Sequence, residues 1–153
     1  RETEPLGTGG GLLLATAEAR ADDLLVLNGD TFFAVELAPF ADFHRERACD
    51  CTLSLFRSGD AGRYMGLDLA DDGRVLDLAS AKSGLVNGGV YMFRAASLRS
   101  LPWRPGERVS LEADMLSHGQ RSGWRIFGRE CGSTFIDIGV PEDYRRAAEG
   151  LKA

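Results

Sequence analysis

Histidine is almost absent from this sequence: His44 and His118 are the only two in 153 residues. Neither has a cysteine or serine nucleophile in a recognisable setting, so a histidine-based triad is not expected as the working chemistry. Cysteine is nearly as scarce. Cys49, Cys51 and Cys131 are an odd set without framework spacing, which reads as free thiols in a reducing compartment. The Cys49-x-Cys51 pair lacks the second ligand pair that a structural zinc needs. Cys51 reads as a strand core residue and Cys49 as incidental. No apolar run approaches the ~18 residues that would span a bilayer, and no secretory signal is visible, so the cytoplasm is expected and a membrane partner is not. Basic charge is also in deficit. The formal net charge of -5 argues against a nucleic-acid partner, although a locally positive site for small anions remains compatible with it.

What is present is an ordinary globular balance, 44% hydrophobic and 27% charged, over a length suited to one domain, residues 1–153. Leu24-Leu25-Val26-Leu27 is a short apolar run of the kind found in strands buried on both faces. A helix is expected before it, over Gly9–Arg20, and another after it, over Leu37–Arg47. Cys51–Phe56 alternates as a strand does. Helix, strand, helix, strand in succession predicts an α/β fold with a largely parallel sheet. Further along, Met65–Leu69 and Arg74–Leu78 flank Asp71-Asp72-Gly73 as a β-hairpin. Leu85–Phe93 is a strand interrupted by Asn87-Gly88-Gly89, which suggests a bulge or a close backbone approach. Ser110 is a suitable N-cap for a helix with Glu112 and Asp114 in its first turn. Trp124–Gly128 and Thr134–Ile138 are expected as strands, and a last helix starts at Pro141.

Several segments could carry chemistry. The glycine-rich stretch Glu4–Gly11 precedes a helix, and exposed amides there would bind an anion or let a base pack on backbone; a plain flexible turn is the alternative. Asn28-Gly29-Asp30 ends a strand, where ligands of open α/β sheets bind; it reads equally as a turn into a capped helix. Asp137 repeats the arrangement before Gly139. Two carboxylates converging on one sheet edge suit Mg²⁺, which takes one or two protein carboxylates and completes its shell with water and phosphate. Lys82 is either a phosphate-neutralising cation or a solvated lysine. Glu112 either complements the helix dipole or accepts hydrogen bonds from sugar hydroxyls.

In order along the chain, Glu2–Gly10, Asn28–Asp30, Asn87–Tyr91, Ser110–Asp114 and Phe135–Tyr144 resemble the motifs of the sugar-1-phosphate nucleotidyltransferases. The C-terminal half is most similar to the short members that activate mannose-type or heptose 1-phosphates. The resemblance implies a Rossmann-like three-layer α/β/α sandwich with a mixed, mostly parallel sheet. It implies transfer of a nucleoside monophosphate from an NTP to a sugar 1-phosphate, with release of pyrophosphate and Mg²⁺ as cofactor. Asp30 and Asp137 match the metal-holding aspartates. Leu6, Gly7 and Thr8 match the nucleobase loop, with Asn28 and Gly29 beside the nucleotide. Asn87, Gly88 and Glu112 match sugar contacts, and Lys82 matches the lysine that meets the sugar phosphate, although Ala81 stands where the family has Glu. The family's phosphate-cradling loop, Gly-Gly-x-Gly-Thr-Arg, has no counterpart here. On that ground the chain is expected to be the C-terminal two-thirds of such an enzyme, lacking at least one βαβ unit of roughly 30 residues. Alone it is expected to bind nucleotide poorly, to turn over little, and to aggregate through an unpaired sheet edge. Two other readings stay open. One is a non-catalytic sugar-binding or regulatory relative. The other is a nucleotide-sugar glycosyltransferase, which usually carries an Asp-x-Asp motif that Asn28-Gly29-Asp30 lacks. The base, the sugar and any homo-oligomer are not legible.

Overall fold

A computed structural model describes residues 4–58, 66–79, 83–132 and 134–139, with residues 143, 144 and 147. Lys82, Pro141 and Glu142 lie outside the described residues. The elements in chain order are α1 (Gly7–Thr16), β1 (Asp23–Leu27), β2 (Thr31–Phe33), α2 (Leu37–Glu46), β3 (Cys51–Arg57), β4 (Asp68–Leu69), β5 (Val75–Asp77), β6 (Leu85–Arg94) and α3 (Ala95–Arg99). A π-helical segment (Leu111–Leu116) then runs into α4 (Ser117–Arg121), followed by β7 (Ile126–Glu130) and β8 (Phe135–Asp137).

The main sheet has the order β1-β6-β3-β7. β3 and β7 are parallel, and β6 runs antiparallel to both β1 and β3. Three of the four strands therefore point the same way, and the long β6 is the exception set among them. The sheet is mixed, as expected.

Both central strands are buried on both faces, and their residues sort cleanly by side. Cys51, Leu53 and Leu55 of β3 join Leu85, Tyr91 and Phe93 of β6 in one core, covered by Leu12 and Leu13 of α1 and by Leu111, Met115 and Leu116. Phe56 of β3 joins Val86, Val90 and Met92 of β6 in a second core with Phe33 and with Phe40 of α2. Helices thus cover the sheet on both sides, in three layers.

Three expectations change. β1 is an edge strand among the described residues, and Leu25 and Leu27 are 38% and 58% exposed instead of buried on both faces. An apolar run alone does not distinguish a central strand from an edge strand. Helix α1 stops at Thr16, four residues short of Arg20. Cys49, read as incidental, is fully buried in the turn that leaves α2, where its amide donates to the His44 carbonyl at 3.0 Å.

Polar residues on β3 are satisfied where they face α2. Thr52 Oγ1 and His44 Nδ1 lie 2.8 Å apart, both groups buried. The other ring nitrogen, His44 Nε2, has no hydrogen-bond partner among the described residues; the nearest carboxylate, Asp23 Oδ1, is 3.7 Å away. Burial is the main influence on the ring and lowers its pKa below 6.5, against the smaller opposing pull of Asp23. The neutral ring is therefore the one the fold holds.

The sign of the pH effect follows. Between the lowered folded pKa and 6.5 the unfolded chain binds the proton and the folded chain does not, so stability falls as pH drops below 6.5. We expect His44→Gln to flatten the part of the stability–pH curve just below pH 6.5, read from urea unfolding at a series of pH values. An unchanged slope would show that the imidazole does not set it.

Candidate functional site

The irregularity in β6 organises the carboxyl edge of the sheet. The register of β3 on β6 runs Leu53↔Tyr91 and then Leu55↔Asn87, so β6 carries extra residues at Asn87-Gly88-Gly89. This is the bulge expected from the sequence. Each of its three residues does something different.

Gly89 sits at φ +75°, a conformation open to glycine, and its carbonyl accepts from the Asn28 amide at 2.8 Å. A Cβ there would lie 2.7 Å from Asn28 Nδ2 and 2.9 Å from Thr31 Oγ1. The bulge thus holds the Asn28-Gly29-Asp30 turn by backbone contact. Gly29 itself faces open space.

Gly88 is buried beneath Phe33. A Cβ there would be 2.3 Å from Phe33 Cδ1. Phe33 belongs to the β2–β8 ribbon, and Phe56 stacks on Phe135 of the same ribbon with centroids 4.1 Å apart. Phe33 completes the trio at 5.6 Å from Phe56 and 6.0 Å from Phe135. This aromatic seat fixes the ribbon on the sheet. Thr31 pairs with Asp137 across it, and the Ile138 amide donates to the Asp30 carbonyl at 3.0 Å. Asp30 and Asp137, far apart in sequence, are therefore brought to one end of one ribbon. Asp30 is exposed and Asp137 half-buried, its Oδ1 accepting from the Gly139 amide at 3.0 Å.

Asn87 turns toward the other core. Its Nδ2 donates to Tyr91 Oη at 2.7 Å, its Oδ1 accepts from the Gly89 amide at 3.1 Å, and Tyr91 Oη donates to Glu112 Oε1 at 2.9 Å. Burial and the adjacent Glu112 carboxylate push the Tyr91 hydroxyl well above the ordinary phenol range, so it keeps its proton. In the sequence Tyr91 is a strand residue that closes the Asn87–Tyr91 motif, with no role of its own assigned. The available signal was its size and polarity: a buried tyrosine needs a partner for its hydroxyl.

The glycine-rich stretch is built differently from the expectation of exposed amides. Gly7 to Gly10 form the first turn of α1, and the amides of Gly9 and Gly10 both donate to the Val109 carbonyl, at 2.9 and 3.1 Å. Val109 in turn donates to Leu6 O at 2.9 Å, and the Leu111 amide donates to Thr8 Oγ1 at 3.0 Å. The glycines allow close approach: a Cβ on Gly10 would lie 2.3 Å from Glu107 O. Leu6 is buried, while Gly7 and Thr8 are exposed. Ser110 caps the next segment as expected, its Oγ accepting from the Ala113 amide at 3.1 Å. That segment opens as a π-turn, with Met115 N donating to Ser110 O, and carries Glu112.

Among the described residues no group of three or more His, Cys, Asp or Glu side chains could hold a metal. The two aspartates on one ribbon end suit a hard cation that draws its other ligands from water and phosphate, as Mg²⁺ does.

No family model matches the sequence. The chain is 34% identical to the D-glycero-α-D-manno-heptose 1-phosphate guanylyltransferase of Aneurinibacillus thermoaerophilus, over 99% of this chain and 65% of that protein. It is 32% identical to the mannose-1-phosphate guanylyltransferase of Mycobacterium tuberculosis, over 98% of this chain and 43% of that protein. The crystal structure of HddC from Yersinia pseudotuberculosis superposes with a TM-score of 0.82 at 30% identity, covering 99% of this chain and 65% of HddC. A second HddC structure is complexed with GMP-PN. Over nearly its whole length the chain is thus similar to sugar-1-phosphate guanylyltransferases. It spans 43 to 65% of the length of these relatives.

The seat of the ribbon is testable. Gly88→Ala should lower stability by about 1–3 kcal/mol through overpacking against Phe33. Adding Phe33→Leu should recover part of the loss, a coupling that a double-mutant cycle in urea would measure. Strict additivity would place the strain elsewhere.

Proposed function

We propose that the protein carrying this chain transfers a nucleoside monophosphate from an NTP to a sugar 1-phosphate, with GTP and a mannose-type or heptose 1-phosphate as the substrates. The observation that carries this reading is the β2–β8 ribbon. It puts Asp30 and Asp137 at one end, beside the Asn87–Gly89 bulge, in a chain 34% identical to a heptose 1-phosphate guanylyltransferase.

In this reading an oxygen of the sugar 1-phosphate forms a bond to the α-phosphorus, and the bond to the bridging oxygen of the β-phosphate breaks, releasing pyrophosphate. Such a reaction asks the protein for positioning and charge placement. Asp30 and Asp137 would hold Mg²⁺, which supplies the charge that lets carboxylates and phosphates share a site. Leu6, Gly7 and Thr8 would border the nucleobase, with Asn28 and Gly29 beside the nucleotide. Asn87 and Glu112 would take the sugar hydroxyls, Gly88 forming the floor under Phe33. Lys82 is assigned to the sugar phosphate by resemblance alone.

The test is pyrophosphate release by the protein at its full encoded length, with Mg²⁺, over a panel of NTPs and sugar 1-phosphates. We expect GTP with a mannose-type or heptose 1-phosphate to turn over. We also expect Asp30→Ala and Asp137→Ala each to lower kcat by at least about a hundredfold, the scale of losing a charge-stabilising group. A chelator should abolish turnover and added Mg²⁺ restore it. A folded protein that turns over no pair, or one in which Asp30→Ala is fully active, would reject this assignment.

A further inference from the structure

Asn87 and Glu112 are read as sugar contacts, yet they stand on different elements: a bulge in the sheet and a π-turn that packs on its face. One side chain joins them. We propose that Tyr91 is the positioning residue of the sugar site, its buried hydroxyl fixing the Asn87 amide and the Glu112 carboxylate as one donor–acceptor pair for adjacent hydroxyls of the sugar ring. This inference rests on the proposed nucleotidyl transfer and deepens it.

The direction of each hydrogen bond is forced. A phenol has one proton, and a carboxylate only accepts, so Tyr91 Oη donates to Glu112 Oε1 at 2.9 Å. The same oxygen can then only accept from Asn87, whose Nδ2 lies 2.7 Å away. Asn87 Oδ1 is taken by the Gly89 amide at 3.1 Å. Reversing the amide would set Nδ2 against the Gly89 N–H, donor against donor, and Oδ1 against a hydroxyl whose proton is already placed. The amide is therefore locked. Its second Nδ2 proton and Glu112 Oε2 are left unspent among the described residues.

An N–H donor beside an anionic acceptor is what two neighbouring hydroxyls require. One hydroxyl can receive the amide proton while either or both donate to the carboxylate. A single apolar or deoxy position would leave one of these groups unpaired, at a real penalty. Tyr91 never needs to reach the sugar to do this. It is fully buried, and its ring stacks with Phe93 at 6.0 Å. Both ends of the chain are braced independently. The bulge is held by its pairing to β3, and the turn carrying Glu112 by the Ser110 cap and the Leu111–Thr8 bond. The hydroxyl is the piece that sets the two ends relative to each other.

Tyr91→Phe removes that hydroxyl and keeps the ring. With the full-length protein and the substrate pair selected above, kcat/KM for the sugar 1-phosphate should fall about ten- to a hundredfold, the range for one bond to a charged group. The loss should appear in KM for the sugar 1-phosphate, with KM for GTP within about twofold of wild type. Discrimination against deoxy analogues of that sugar should narrow. If Tyr91→Phe does not fold, Asn87→Ala and Glu112→Gln, singly and together, read the same link: strongly non-additive losses support it, and additive losses overturn it. Unchanged KM for the sugar 1-phosphate, or equal rises for both substrates, overturns the role of Tyr91 alone. A wild type that turns over no pair removes the proposed function and this inference together.

Discussion

A strand buried on both faces cannot leave its backbone polar groups to solvent, so any break in its ladder must be paid for locally. β6 is such a strand, and its break at Asn87-Gly88-Gly89 is satisfied by the surrounding structure: the Gly89 amide by Asn87 Oδ1, the Val90 amide by Ser54 Oγ, the Gly89 carbonyl by the Asn28 amide. Each of those bonds also places something. The first orients Asn87, the second ties the bulge to β3, and the third anchors the turn that leads to Asp30. The site at this edge is the means by which the bulge is stabilised, which makes local stability and site geometry one property.

Much of this was legible in the sequence, for identifiable reasons. The glycine pair inside an otherwise apolar strand announced the bulge, because no other residue tolerates φ +75° there with Asn28 so close. Ser110 announced its cap. The Asp-Gly turn announced the β4–β5 hairpin, in which Gly73 takes φ +88° and its amide donates to Ala70 O. The order of motifs announced the likeness to sugar-1-phosphate guanylyltransferases. What stayed hidden depends on partners distant in the chain. The two faces of β3 look like simple alternation, Cys-Thr-Leu-Ser-Leu-Phe, until Thr52 and Ser54 are found buried against His44 and the bulge. The edge position of β1 is a property of the sheet order, and the Leu24–Leu27 run does not encode it. Tyr91 was in plain view as the end of Asn-Gly-Gly-Val-Tyr, but its partner Glu112 sits on another element.

The glycine-rich first turn of α1 shows the same dependence on distant partners. Its composition suggested free amides awaiting an anion, whereas two of them share the Val109 carbonyl. Here glycine serves packing. Removing side chains lets the first turn of α1 press its backbone against Val109 and Glu107, where a Cβ on Gly7 or Gly10 would meet a carbonyl oxygen at 2.7 or 2.3 Å. Composition alone does not separate the two uses; only the location of the acceptors does.

That close packing has a consequence for how the two halves of the site relate. The Leu6–Gly10 turn and the Val109–Glu112 segment are joined by four hydrogen bonds over a few residues, and Glu112 is joined through Tyr91 to the bulge. A displacement of the turn assigned to the nucleobase must therefore either break those bonds or carry Glu112 with it. Close-packed protein interiors shift between discrete arrangements more readily than they deform continuously. The elements assigned to the two substrates thus behave as one body, and the entropy of aligning them is spent when the chain folds, before either substrate arrives.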